Sequence, residues 1–221
     1  MKLFVDTANI SEIEALVPLG IVDGVTTNPS LLAEAAGDPQ QLLKTICDRV
    51  GGPVSAEVVA TDVDGMIREG RQLATIDGHI VVKVPFGRAG VTACGTLSRE
   101  GIRVNVTLIF SAAQALLAAK TGATFVSPFV GRLDDIGTSG MELIGQIVRV
   151  YDNYDFTTEV LVASVRGPMH IIEAAQMGAD ICTCPSKVFD AMFKHPLTDI
   201  GLEKFLTDWK KAESKRVSRQ N

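Results

Sequence analysis

The sequence predicts an α/β fold: a single (β/α)8 TIM barrel over residues 1–221 with an extra C-terminal helix. Three observations lead there. Short β-branched runs alternate with helix signals along the whole chain, and they can be read as eight strands, the number that closes a parallel sheet on itself. No strand leads into a G-x-G-x-x-G or Walker loop, so an open doubly wound sheet lacks support. The 221 residues, 46% of them hydrophobic, run without a linker or a shift in composition and suffice for one large core.

In order, Leu3-Phe4-Val5-Asp6 is a short first strand, and Ser11-Glu12-Ile13-Glu14 reads as a capping box for a helix that Gly20 stops. Gly24-Val25-Thr26-Thr27 is the second strand, and Asn28-Pro29-Ser30 opens a helix with proline in its first turn. A further helix begins at Asp38-Pro39 and ends at Gly51-Gly52. Residues 55–59 form the third strand, with a helix over about 62–73 behind it. The fourth strand is Ile80–Pro85 and the fifth covers 103–108, after which Ser111-Ala112-Ala113-Gln114 caps a helix. The sixth is 124–127, followed by a helix near 141–150; the seventh is 160–164, followed by a helix from Pro168 that Gly178 stops. The eighth is 180–184, with a helix over about 186–194. A last helix, about 199–213, puts Leu202, Phe205, Leu206 and Trp209 on one face. That face either closes the bottom of its own barrel or docks on a neighbouring subunit, and a frayed basic tail, 214–221, carries Lys215, Arg216 and Arg219.

Composition narrows the function. A net charge of −5, an isoelectric point near 5.2 and only 5% aromatic residues argue against nucleic acid as a partner. The chain has no apolar run long enough to cross a bilayer and opens without a signal-peptide pattern, so a soluble, cytoplasmic protein is expected. Cys47, Cys94, Cys182 and Cys184 read as reduced thiols. Cys182 and Cys184 share a face and could join His170 on a soft metal, but burial in a barrel strand accounts for them as well; no metal is expected.

The residue that stands out is Lys83, in the middle of the apolar strand Ile80–Pro85. It either runs its methylenes along apolar surface with a wet charge, or is desolvated enough to act as a neutral amine toward a carbonyl. Barrel enzymes place their chemistry at the C-terminal strand ends. Here those ends hold Asp6, Thr26, Asn28, Glu57, Lys83, Asn105, Thr107, Ser127, Phe129, Arg132, Ser164 and Arg166. Each also has a structural account: Asn28 as an N-cap, Asp6 as a loop cap, Thr107 as a β-branched filler, the arginines as surface charge. Helix caps, however, need not converge on one mouth. Together the set suits imine chemistry on a sugar phosphate. Lys83 would form the imine, Asp6 would act as base at the hydroxyl beside the cleaved bond, and Glu57 would move protons for the departing water. Asn and Thr side chains would hold hydroxyls, and the arginines with Ser164 would hold a phosphate.

The blocks Asp6-Thr7-Ala8-Asn9, Gly24-Val25-Thr26-Thr27-Asn28-Pro29-Ser30, Val82-Lys83-Val84-Pro85, Asn105-Val106-Thr107-Leu108, Ser127-Pro128-Phe129-Val130-Gly131-Arg132-Leu133-Asp134-Asp135 and Val162-Ala163-Ser164-Val165-Arg166 resemble, in order, those of the short, compact transaldolase subfamily. The resemblance implies a pentose phosphate pathway enzyme that transfers a dihydroxyacetone unit between sugar phosphates, with Lys83 as the Schiff-base lysine and Asp6 as the proton carrier. It implies that Glu57 works through a water that Thr107 helps to hold. Asn28, Asn105, Thr26, Ser127 and Phe129 would contact the three-carbon unit, and Arg132, Ser164 and Arg166 the phosphate. It implies no organic cofactor, and a homo-oligomer, pentameric or decameric, built through the C-terminal helix. The related fructose 6-phosphate aldolases, which release free dihydroxyacetone, carry glutamine where this chain has Glu57 and tyrosine where it has Phe129, and lack the asparagine at Asn105; all three positions side with transaldolase. The loop Phe86-Gly87-Arg88-Ala89-Gly90 departs from the pattern, and Arg88 reads as a solvated residue at a helix start. A non-catalytic sugar-phosphate-binding barrel remains the reading of another class.

Overall fold

In a computed structural model, which describes residues 1–35 and 37–217, eight parallel strands close in sequence order into one barrel. The strands are β1 (Lys2–Asp6), β2 (Gly24–Thr26), β3 (Val54–Glu57), β4 (Ile80–Pro85), β5 (Val104–Ile109), β6 (Phe125–Pro128), β7 (Glu159–Val162) and β8 (Ile181–Cys184). The closing pair joins β1 to β8, with Phe4 opposite Thr183 and Val5 opposite Cys184.

Helices cover the outside: α1 (Ile10–Leu16), α2 (Pro29–Glu34), α3 (Pro39–Val50), α4 (Val63–Ala74), α5 (Arg88–Arg99) and α6 (Ala112–Lys120). After β6 come α7 (Val130–Asp134) and α8 (Gly140–Asn153), then α9 (Pro168–Met177), α10 (Ser186–Met192) and α11 (Pro196–Val217). Local signals set most helix starts. The side chains of Asn28, Asp38 and Ser111 accept the backbone N–H of Leu31, Gln41 and Gln114 at 3.0, 2.9 and 3.3 Å. Gly51 and Gly178 end α3 and α9 in the left-handed conformation. The first helix corrects the expected capping box at Ser11. Its N-cap is Asn9, whose Oδ1 accepts the Ser11 N–H at 2.9 Å, while Asn9 N donates to Thr7 Oγ1, so the turn tightens before the serine is reached.

Strand parity divides the core in two. Val5, Val25, Val82, Val106, Val126, Cys182 and Cys184 face the helices in the larger cluster. Phe4, Val81, Phe125, Leu161 and Ile181 fill the barrel interior, with Phe4 edge-on to Phe125 at 6.2 Å between centroids. Gly24 makes room for this floor: a Cβ there would lie 2.6 Å from the Phe4 ring.

The last helix does not close its own barrel. Leu202, Phe205, Leu206 and Trp209 are exposed, Phe205 at 71% and Trp209 at 61%. The helix begins before and ends beyond the 199–213 stretch expected, so Arg216 lies in its last turn, its guanidinium 5.8 Å from the Trp209 ring centroid. Arg219 lies outside the described residues.

Candidate functional site

Two residues beyond the apolar floor, at the same inward parity, the strands change character. Phe4 gives way to Asp6, Gly24 to Thr26, Ser55 to Glu57, Val81 to Lys83, Phe125 to Ser127 and Ile181 to Thr183. The barrel thus holds a layer that is apolar apart from Ser55, and a polar layer stacked on it toward the strand C-termini. Above this layer opens a cavity of about 330 Å³, bounded by Asp6, Lys83 and Thr107 on one side and by Phe129, Arg132, Ser164 and Arg166 on the other.

The lysine wall is set by register. Glu57 pairs with Lys83, and Lys83 with Asn105, so three residues far apart in sequence stand side by side on neighbouring strands about 4.8 Å apart. Lys83 is 6% exposed. Its ammonium lies 3.0 Å from Glu57 Oε2 and donates to the Thr27 carbonyl at 3.1 Å. These two acceptors offset the desolvation of the charge, and the carboxylate is placed to take a proton when the amine becomes a nucleophile. Glu57 itself stands between the main cavity and a second, mainly apolar cavity of about 310 Å³ between α2, α3 and α4.

Asp6 anchors a hydrogen-bond chain. Thr26 donates to Asp6 Oδ1 at 2.7 Å, and the Thr26 and Thr183 hydroxyls lie 2.7 Å apart. An ionised carboxylate only accepts, and Thr26 has one proton; the chain therefore runs Thr183 to Thr26 to Asp6. Burial pushes the Asp6 carboxyl above the usual carboxylate range, against the opposing pull of the Thr26 hydrogen bond and the Lys83 charge. A carboxylate with a raised pKa is a stronger base than one in water, which suits proton abstraction from a sugar hydroxyl.

Asn105 is fully buried and stands behind the cavity wall. Its Oδ1 accepts from Ser127 at 2.7 Å and its Nδ2 donates to Ser55 at 3.1 Å, which fixes the amide orientation. Asn28 caps α2 through Oδ1 and lines the cavity as well, so both of its expected roles are geometrically open. Thr107 faces the cavity with its buried hydroxyl unpartnered among the described residues. The residue after it, Leu108, is left-handed at φ 58°, where β5 shifts register against β6.

The arginine wall rests on α7 and on the turn after β7. Phe129 precedes α7, edge-on to Phe110 at 5.8 Å, and the Arg132 guanidinium lies 5.1 Å from its ring centroid. Arg166 reaches Asp135 Oδ2 at 2.5 Å, both side chains more than half exposed. Ser164 is left-handed at φ 60°, a strained conformation for a non-glycine that its surroundings must hold.

Of the residues read from the sequence, ten line the cavity; Glu57 and Asn105 reach it through contacts to Lys83 and Ser127. The sequence reading missed Thr183, Ser55 and the Thr27 carbonyl. Ser55 had a signal, since it shares inward parity with Glu57 on its own strand, and Thr183 had one as the polar residue between two cysteines that face the other way. Arg88 opens α5 exposed and off the cavity. Cys182 and Cys184 face the helix layer, and among the described residues no group of three His, Cys, Asp or Glu side chains converges as a metal site.

Comparisons with known proteins identify the family. The profile of the Transaldolase/Fructose-6-phosphate aldolase family matches residues 3–216. A protein of Desulforapulum autotrophicum named "Probable transaldolase" is 56% identical over 215 residues, covering 97% of this chain and all of the relative. Proteins of the same name from Caldicellulosiruptor saccharolyticus (97% of this chain, 100% of the relative) and Methanococcus maripaludis (95% and 97%) are each 57% identical. Among solved structures, 3-hexulose-6-phosphate synthase from Salmonella typhimurium superimposes with a TM-score of 0.66 at 18% identity, over 86% of this chain and 92% of that one, a likeness of fold alone.

Proposed function

The chain belongs to the transaldolase/fructose-6-phosphate aldolase family, and from that premise we propose that it is a transaldolase of the pentose phosphate pathway. It would move a dihydroxyacetone unit from sedoheptulose 7-phosphate or fructose 6-phosphate to glyceraldehyde 3-phosphate or erythrose 4-phosphate. The observation that carries this reading is the buried Lys83 amine, 3.0 Å from Glu57 and facing the same cavity as Asp6.

The amine, freed of a proton, adds to the ketose carbonyl, and the carbinolamine loses water with Glu57 moving the protons; the Thr107 hydroxyl would hold that water. Asp6 takes the proton of the C4 hydroxyl, the C3–C4 bond breaks, and the aldose phosphate leaves. The electron pair of the broken bond remains on the lysine-bound three-carbon unit as an enamine. Its nucleophilic carbon adds to the acceptor aldehyde, Asp6 returns the proton to the new hydroxyl, and water hydrolyses the imine. Thr26, Asn28, Asn105 and Ser127 orient the three-carbon unit directly or through one another. Phe129 brings no acidic proton to the enamine, so the unit waits for an aldehyde. Arg132, Ser164 and Arg166 bind the phosphate.

We also propose a homo-oligomer, pentameric or decameric, assembled through the exposed apolar face of α11. Replacing Phe205 and Trp209 by Asp is expected to shift the species seen by light scattering toward the monomer. A cytoplasmic location is supported by four free cysteines; no helix of the described residues is long and apolar enough to cross a membrane.

The test supplies fructose 6-phosphate with and without erythrose 4-phosphate and follows glyceraldehyde 3-phosphate, seven-carbon sugar and free dihydroxyacetone. Steady turnover only with the acceptor, matched by seven-carbon sugar, is expected. Steady free dihydroxyacetone without acceptor would make the protein an aldolase, and silence in both arms would leave a binding barrel.

A further inference from the structure

Behind the arginine wall sits a pair of side chains that touch neither Lys83 nor the cavity. His170, in the first turn of α9, is mostly shielded, with 18% of its side chain exposed. Its Nε2 lies 3.0 Å from Asp134 Oδ2, at the end of α7. Its Nδ1 accepts the backbone N–H of Arg166 at 3.2 Å. An accepting Nδ1 carries no proton, so the ring is neutral with its proton on Nε2, donated to Asp134. The other Asp134 oxygen accepts the Gly140 N–H at 2.9 Å, tying the same carboxylate to the start of α8.

The segments joined in this way are those that carry the cationic groups. Arg132 stands on α7, and Ser164 and Arg166 on the turn after β7. The two are pressed together: Gly131 N–H donates to the Ser164 carbonyl at 3.0 Å, and a Cβ on Gly131 would lie 2.2 Å from that oxygen. The turn also carries the left-handed Ser164, which holds only while its neighbours over-determine it. The His170 side chain joins α9, α7 and this turn.

We propose that Asp134 and His170 are a positioning dyad for phosphate recognition. The neutral imidazole fixes the Arg166 backbone against α7, so that Arg132, Ser164 and Arg166 present their donors to one phosphate group. This rests on the phosphate role given to the arginine wall above. The dyad makes no contact with the reacting atoms; it acts through the turn, on affinity rather than on bond making.

Two substitutions separate its two contacts. His170→Gln can still reach Asp134 but loses the acceptor for the Arg166 N–H; His170→Asn keeps an acceptor near Nδ1 and loses Asp134. The primary readout is the Kd of inorganic phosphate by calorimetry on the full chain, which needs no turnover. The second is KM and kcat for glyceraldehyde 3-phosphate against unphosphorylated glyceraldehyde as acceptor, with Tm recorded for each variant. In His170→Gln, phosphate affinity is expected to fall, and KM for the phosphorylated acceptor to rise, by up to about tenfold, the weight of one hydrogen bond. Kinetics with glyceraldehyde should hold within about twofold, and His170→Asn should recover part of the phosphate affinity. Unchanged phosphate affinity in a folded His170→Gln, or an equal loss on both acceptors, overturns the proposal. Arg166→Ala serves as the control: if it leaves phosphate affinity untouched, the phosphate role of the arginine wall fails, independently of the dyad.

Discussion

The strand-borne groups around Lys83 and the arginine wall line one cavity and are built on opposite plans. Lys83, Asn105, Ser127, Thr26 and Thr183 sit on strands, nearly or fully buried, and each hydrogen-bonds within the site. Arg132 and Arg166 sit on a five-residue helix and a turn, and Arg166 is paired to Asp135 with 57% of its side chain exposed. An exposed pair of this kind contributes at most about 1 kcal/mol, so a phosphate can replace the carboxylate at little cost. Bond-making groups must be held to fractions of an ångström and therefore belong on packed strands. A charge that captures one end of sugars of different length can reach from a loop.

The sharpest break is Lys83→Arg. It should lower turnover by on the order of 10⁴-fold or more and abolish borohydride trapping of substrate, while inorganic phosphate still binds through the opposite wall. Asp6→Asn comes next, with a loss of about 10²- to 10⁴-fold in kcat. The wild-type acid limb of kcat/KM should lie above the ordinary carboxylate range, because burial raises Asp6 and the base form is lost as pH falls through that raised value. The stability sign is the reverse of a salt-bridged carboxylate. The native state keeps the Asp6 proton to higher pH than the unfolded chain, so this group's contribution to stability falls as pH rises from the ordinary value through the folded one. Denaturant titrations of Asp6→Asn across that window should lack this slope.

Arg166→Ala tests the other wall. It should raise KM for phosphorylated substrates by about 10- to 100-fold with kcat nearly unchanged, since a charged hydrogen bond is lost equally in ground and transition states. The smallest effect belongs to Thr183→Val. Removing the outer donor frees Thr26 from its orientation toward Asp6, so kcat should fall severalfold, about the value of one neutral hydrogen bond, and the acid limb should move up. Thr183→Ser should restore both; a valine variant with an unmoved acid limb would cut Thr183 out of the chain.

Features that depend on a few neighbouring residues were legible before any coordinates. Ile80–Pro85 is the strand the apolar run announced, and Asn28, Asp38 and Ser111 cap the helices they precede, because a cap needs only its own side chain and the amides just beyond it. Local competition misled the reading at Ser11, where Asn9 reaches the amide first. The five-residue α7 had no periodicity to reveal it; Val130, Gly131 and Leu133 are buried because the turn after β7 receives them.

By itself the sequence determined the alternation of strands and helices and, on every strand but the eighth, the polar residue at its C-terminal end, since these follow from backbone periods of 2 and 3.6. Only the tertiary structure decided which of those residues meet. Closure of β1 on β8 brings Thr183 to Thr26 across 157 positions of chain, and the packing of α7 and α9 on the same helix, α8, brings Asp134 to His170. It also left the apolar face of α11 off its own barrel. Hydrophobic patterning specifies that a face must be covered but carries no information on what covers it; that choice belongs to shape and distance in the folded chain.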